Sequence, residues 1–251
     1  MSRSPVPRKP YPLAAAVLAG PLAGVVWHLA DTVGLPRSEA ADYLAQVAAD
    51  RQGYALGTVL YMIFVGCYIP SGLALMRVLR DRAPLAGTTS GLLFALAGVL
   101  GLIVSGMRPV VLGLAPEGGA VGEAAAAYER YQESAWFGGI MLPMLASVVV
   151  GLVVQIAAIL RTGVLPRWTA PLLLAGFVLS SGEFSSAVTV LGALVQLAGT
   201  VPLAAKLLAE PEPEPEPEPE SESESESESE SESESESESE SESEAGSVAL
   251  A

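Results

Sequence analysis

Five runs of the chain, 13–33, 55–76, 85–106, 137–160 and 185–205, are each long and apolar enough to form a membrane-crossing helix. About 20 apolar residues cover a bilayer core. Two of the runs, 55–76 and 85–106, carry no charged residue. A sixth run, 168–182, has 15 residues. At about 1.5 Å per residue it reaches roughly 23 Å against a core of about 30 Å, so it crosses where the bilayer thins or where Ser185 and Ser186 extend the helix. The expected fold class is all-α, a polytopic membrane helix bundle with six spans.

The bases set the expected orientation, because cytoplasmic loops are enriched in Lys and Arg. With six crossings, Arg3, Arg8, Lys9, Arg77, Arg80, Arg82, Arg161, Arg167 and Lys206 fall on one side. Arg37, Arg51, Arg108 and Arg130 fall on the other. Nine against four places both termini in the cytoplasm, and omitting the weak fifth span would put Lys206 outside. The first run has a basic start like a signal peptide, but about 21 residues is long for a signal core and no small-x-small site follows it. It is expected to remain as a span. Trp27, Trp136 and Trp168 sit at span ends, as headgroup-level anchors do.

Net charge misleads here. Of the 28 acids, 18 lie between Glu210 and Glu244, in Pro-Glu and then Ser-Glu alternation. The 209 residues before Glu210 hold 13 bases against 10 acids, so the body is +3 and the pI of 4.4 describes the tail. Like-charge repulsion and the lack of apolar residues predict an extended, disordered tail over 209–251. Residues 1–12 are the cytoplasmic N-terminus and 13–208 the membrane domain. The tail suits weak cation binding or a basic protein partner, a solubilising bristle, or a repeat expansion without a role. No nucleic-acid contact is expected.

Two loops on the outer side read as short helices lying on that face. In 38–53, Ala41, Leu44, Val47 and Ala48 keep helical spacing, with Ser38 as N-cap and Gly53 as stop. In 121–136 an alanine-rich stretch carries Tyr128 and Tyr131, and alanine favours helix.

The residues able to carry chemistry are few. The single cysteine, Cys67, and single histidine, His28, exclude an intrachain disulfide and a His-based metal cluster, so no cofactor or metal is expected. His28 and Asp31 are three apart on one helix face, and Arg108 and Glu183 should lie at the same membrane level. Ionisable groups at that depth are costly and often functional. The four predict an outward-opening polar cluster for a small ligand or a proton. The plainer reading leaves each in the interfacial zone, satisfied by water. Tyr54, Tyr61 and Tyr68 recur every seven residues, either as a polar stripe for a path or headgroup, or as a helix-packing seam.

The segment "VVWHLADTVG", an outer helix and then the span "LYMIFVGCYIP" resemble, in layout, uncharacterised multi-span integral membrane protein families of high-GC actinobacteria. The resemblance covers roughly residues 11 to 208 and implies no activity and no site residues. The reading taken from the sequence is a multi-pass cell-membrane protein with the bilayer as its surroundings, non-catalytic, and serving as an accessory or interaction partner. The competing reading is a small transporter or a membrane enzyme with a lipid or isoprenoid site at the outer cluster. The oligomeric state is not legible.

Overall fold

The computed structural model of the protein describes residues 11–30, 39–115, 121–181 and 185–209. The tail from residue 210 onward, with the expectations about it, lies outside them. Ten helices follow in order: α1 (Tyr11–Ala30), α2 (Ala40–Ala49), α3 (Arg51–Gly66), α4 (Tyr68–Leu79), α5 (Pro84–Ser105), α6 (Met107–Leu114), α7 (Val121–Gln132), α8 (Ala135–Thr162), α9 (Thr169–Ser181) and α10 (Ser186–Ala209). The described residues contain no strand.

Five units are long and apolar enough to cross a membrane: α1, α3 with α4, α5 with α6, α8 and α10. The run expected as a sixth span forms α9, of 13 residues. At about 1.5 Å per residue it covers roughly 20 Å, and the turn in which the Thr169 N–H reaches the Pro166 carbonyl precedes it.

Two of the spans are broken, and proline explains both breaks. A proline ring clashes with the carbonyl four residues earlier and donates no N–H. Pro70 stands four residues after Gly66, where α3 ends, and Pro109 stands four residues after Ser105, where α5 ends. The chain continues past each break, since the N–H of Cys67 reaches the Ile63 carbonyl (3.0 Å) and that of Gly106 the Leu102 carbonyl (3.1 Å). Helix ends are set locally. The Asp50 carboxylate accepts from the Gly53 N–H at 2.9 Å and caps α3, so Gly53 lies in the first turn of a helix where a stop was expected. Ser134 accepts from the Phe137 N–H and caps α8. Gly163, at φ 61°, closes the other end of α8 in the left-handed conformation that glycine adopts without strain.

The spanning units and α9 form a closed ring. Following contacts around it, α10 meets α1, α1 meets α3 and α4, these meet α5, α5 meets α8, and α8 meets α9, which returns to α10. Neighbours run antiparallel. Gly176 abuts Gln196, Gly192 abuts Ser180, and Gly199 abuts Leu173, which fixes α9 against α10. Gly72 lies against the Gly91 backbone, which fixes α4 against α5. Small residues let membrane helices approach this closely. The joint between α8 and α9 is the least extensive in the ring. Large apolar side chains such as Leu22, Leu92, Leu96, Val149 and Val153 point outward, while Ser90, Ser105, Ser147, Gln155 and Thr189 are buried. This inside-out distribution suits a bundle whose solvent is hydrocarbon.

One end of the ring carries a cap. Tyr43, Leu44 and Val47 of α2, Tyr54 of α3, Val111 of α6, and Ala125 and Tyr128 of α7 form one buried cluster. Both loops read as short helices are helical, and they pack on each other.

Candidate functional site

Beneath the cap lies Arg108. The Pro109 break sets it in the first turn of α6, turned into the protein and 7% exposed. Tyr54, Thr58 and Tyr61 share one face of α3, spaced at four and three residues. The Thr58 hydroxyl donates to the Tyr54 carbonyl at 2.8 Å, which leaves its oxygen to accept from the Arg108 Nε at 3.1 Å. The guanidinium carbon stands 4.4 Å from the centre of the Tyr54 ring and 5.6 Å from that of Tyr61. A cation over a phenol ring gains about 2 kcal/mol where water is excluded. The buried charge is thus held by named partners on one helix face.

The polar chain continues upward into the cap. The Tyr54 and Tyr43 hydroxyls are 3.2 Å apart. Tyr43 stacks on Tyr128, with ring centres 5.6 Å apart and planes at 21°. The Gln132 amide donates to the Tyr128 hydroxyl at 3.1 Å. Arg51 donates to the Ala115 carbonyl at 2.9 Å and ties the end of α6 to the start of α3. Burial, more than any neighbour, pushes the Tyr128 phenol up to about 12. Burial likewise raises Tyr43, with the hydrogen bond to Tyr54 adding to it. Both stay neutral hydrogen-bonding groups at physiological pH.

Three cavities follow one another from this point. The first, about 330 Å³, is bounded by Arg108, Tyr43, Tyr54, Tyr128 and Gln132 on the cap side and by Met141 and Met144 of α8. The second, about 260 Å³, shares Tyr61 and Met144 with the first and adds His28, Trp27 and Ser180. The third, about 60 Å³, shares Phe64, Tyr68, Phe177 and Gln196 with the second and reaches Gln155 and Ser71. Together they form a column down the inside of the ring, with the charged Arg108 at the cap end and uncharged polar groups such as Ser180, Gln196, Ser71 and Gln155 spaced along an otherwise apolar wall below.

The structure places the candidate residues as follows. Arg108 lines the first cavity and the half-buried His28 the second, with Tyr61 between them. Asp31 and Glu183 lie outside the described residues. Tyr54, Tyr61 and Tyr68 wall successive parts of the column, although the break at Cys67 falls between the last two. Trp136 and Trp168 are exposed at helix ends, whereas Trp27 is buried, 4.7 Å from Tyr61, and is a wall of the column and not an anchor. Thr58, Tyr43, Gln132 and the three methionines Met107, Met141 and Met144 join the site without having been singled out, and Tyr128, noted only as part of the outer helix, joins it too. Thr58 was accessible, since it shares a face with Tyr54 and Tyr61. Among the described residues no group of His, Cys, Asp and Glu could hold a metal ion.

No curated protein and no solved structure matches the chain. One family does, over residues 13–210, which takes in the ring, the cap and the whole column. The chain belongs to the family described as a domain of unknown function, DUF4386.

Proposed function

We propose that this chain is a multi-pass cell-membrane protein that holds a small amphiphilic molecule inside its helix ring, as a binding protein and not a catalyst. The continuity of the three cavities carries this reading. Each shares lining residues with the next, so one elongated ligand fits where three separate voids would not serve it. Most ligand sites are concave, mostly apolar and supplied with a few placed polar groups. This column has that character, with its one charged group, Arg108, at the cap and a few uncharged polar groups below. The ligand would fit head to cap and tail toward Gln155.

The proposed topology has six crossings with both termini cytoplasmic. Its support is the nine-to-four division of bases, with the antiparallel run of α9 against α10 in keeping with it. The cap then faces outward. Single cysteines in a Cys67→Ser background test it. Cysteines replacing Asp42 and Glu123, both exposed, should label from outside, and those replacing Asp81 and Pro166 should not. Labelling of position 81 from outside would reject this arrangement.

Extraction of the purified protein with organic solvent, followed by mass measurement, tests the binding reading. A near-stoichiometric amphiphile should be released from the native chain. It should be lost from Val148→Trp, which fills the wall shared by the second and third cavities. Equal lipid recovery from both proteins would show only a detergent-carried background.

A further inference from the structure

The first cavity has a more specific character than an amphiphile site needs. Its walls are mostly flat or soft: the rings of Tyr43, Tyr54, Tyr128 and Tyr131, that of Phe137, and the thioethers of Met107, Met141 and Met144. Tyr43 and Tyr128 already stack in parallel, and Tyr131 meets Phe137 edge to face at 5.2 Å. Such walls suit another flat ring, because aromatic faces and polarisable sulfur both gain on ring contact. The polar atoms among them are mainly donors. Arg108 accepts nothing and carries N–H groups beyond the one given to Thr58, the phenols each carry an O–H, and the Gln132 amide carries a second N–H beside the one given to Tyr128. Arg108 lies on the α6 side and Gln132 on the α7 side, so donors border the cavity from two elements.

A phosphate headgroup would ask for something else. Phosphates are commonly held by several bases or by the full fork of an arginine. Here one edge of the guanidinium is taken by Thr58 and a face by Tyr54. Among the described residues lining the three cavities, Arg108 is the one Lys or Arg. An uncharged planar ring with carbonyl oxygens at its edges matches both walls and donors. Behind it the column continues between Tyr61, Phe64, Tyr68 and Phe177 with room for a chain.

There is also a way in from the side. The half of α8 before Ser147 has no buried residue, although Met141 and Met144 face the cavity. Gly138 and Gly139 in that half have no neighbour within 4 Å of where a side chain would begin. Pro143 interrupts its hydrogen-bond ladder, and the loosest joint of the ring, with α9, lies on the same helix. A molecule dissolved in the bilayer meets this wall first.

Resting on the binding reading above, we infer that the ligand is a membrane-borne chain bearing a planar carbonyl ring, of the quinone class, with its ring beneath the cap at Arg108 and entry past the first half of α8. The inference concerns binding and includes no electron transfer.

The test titrates full-length protein in detergent with a decyl-chain quinone and, separately, with decyl phosphate. The readout is Trp27 fluorescence in a Trp136→Phe, Trp168→Phe background. The quinone should saturate the signal and bind at least about tenfold tighter than decyl phosphate, the factor carried by one well-made hydrogen bond. Gln132→Leu and Arg108→Met should each weaken the quinone by about tenfold. Met141→Trp, on the side of α8 least tied to the ring, should block it while leaving the thermal midpoint in place, and so serves if Arg108→Met fails to fold. Equal or tighter binding of decyl phosphate would overturn the ring assignment. So would quinone binding indifferent to Gln132→Leu and Met141→Trp. A released phospholipid in the extraction experiment, with no quinone response, would leave the amphiphile reading standing and reject this one.

Discussion

Thr58 shows how much one hydroxyl can be asked to do. It donates to a helix carbonyl and accepts from a buried guanidinium, so its oxygen satisfies a charge that would otherwise lose an acceptor. Thr58→Val keeps the shape and removes the acceptor. We expect it to lower stability by about 1.5–3 kcal/mol, the range for a hydrogen bond to a charged group, measured by unfolding in detergent. Thr58→Ser keeps the hydroxyl and loses one methyl group, so its cost should stay near 0.8 kcal/mol. Equal losses in the two variants would show that packing, and not the bond, is what Thr58 supplies. The cap phenols give a pH signature. Tyr43 and Tyr128 ionise less readily in the folded protein than the ordinary value of 10.0. Below pH 10 both states hold the proton and nothing changes. Above it the unfolded chain releases protons that the folded chain keeps, so stability falls as pH rises, for Tyr128 up to about 12. A stability profile of Tyr43→Phe, Tyr128→Phe should be flatter than that of the native protein above pH 10. Matching slopes would place the loss elsewhere.

Between elements, closeness is the governing quantity. Gly72 and Gly91 bring α4 and α5 to backbone contact, and a side chain at Gly72 would collide with the Gly91 carbonyl, which cannot rotate away. Gly72→Ala should therefore destabilise by about 1–3 kcal/mol, as overpacking does. Gly113, in α6, has no neighbour within 4 Å, and Gly113→Ala should be neutral or stabilise by up to about 1 kcal/mol through helix propensity alone. Thermal scans of the two variants separate these effects, and a Gly72→Ala protein as stable as Gly113→Ala would mean that the helices part without cost. The same level explains what the sequence disclosed. Long apolar runs and helical spacing are local signals, so the helices and both cap elements were legible from residue order. The two breaks were less so, because Pro70 and Pro109 act on a carbonyl four residues away. Trp27 was misread because its position at the end of a run resembles an anchor, and only the ring partner on α3 turns it inward. Arg108 was legible as a candidate, but its place against Tyr54, Thr58 and Tyr61 depends on α6 packing against α3, a tertiary event with no spacing to announce it.

For the whole molecule, the unequal lengths of its helices matter most. Alongside units of 20 to 31 residues stands α9 with 13. Mismatch costs a fraction of a kcal/mol per ångström, and short elements favour thin bilayers. The protein should show a higher thermal midpoint in nanodiscs of short-chain lipid than in those of long-chain lipid. An α9 extended by one turn of leucine and alanine should reduce that difference, and an undiminished difference would trace it to another part of the ring. The glycine contacts that join α9 to α10 also bear on how the chain is made. A helix of roughly 20 Å gains too little from hydrocarbon to stay in the bilayer by itself, yet it emerges from the ribosome before the helix that grips it. During synthesis α9 must wait at the membrane surface or in the insertion machinery until α10 follows. On the proposed six-crossing topology α9 and α10 then enter as one hairpin, and the ring closes only once α10 has been made.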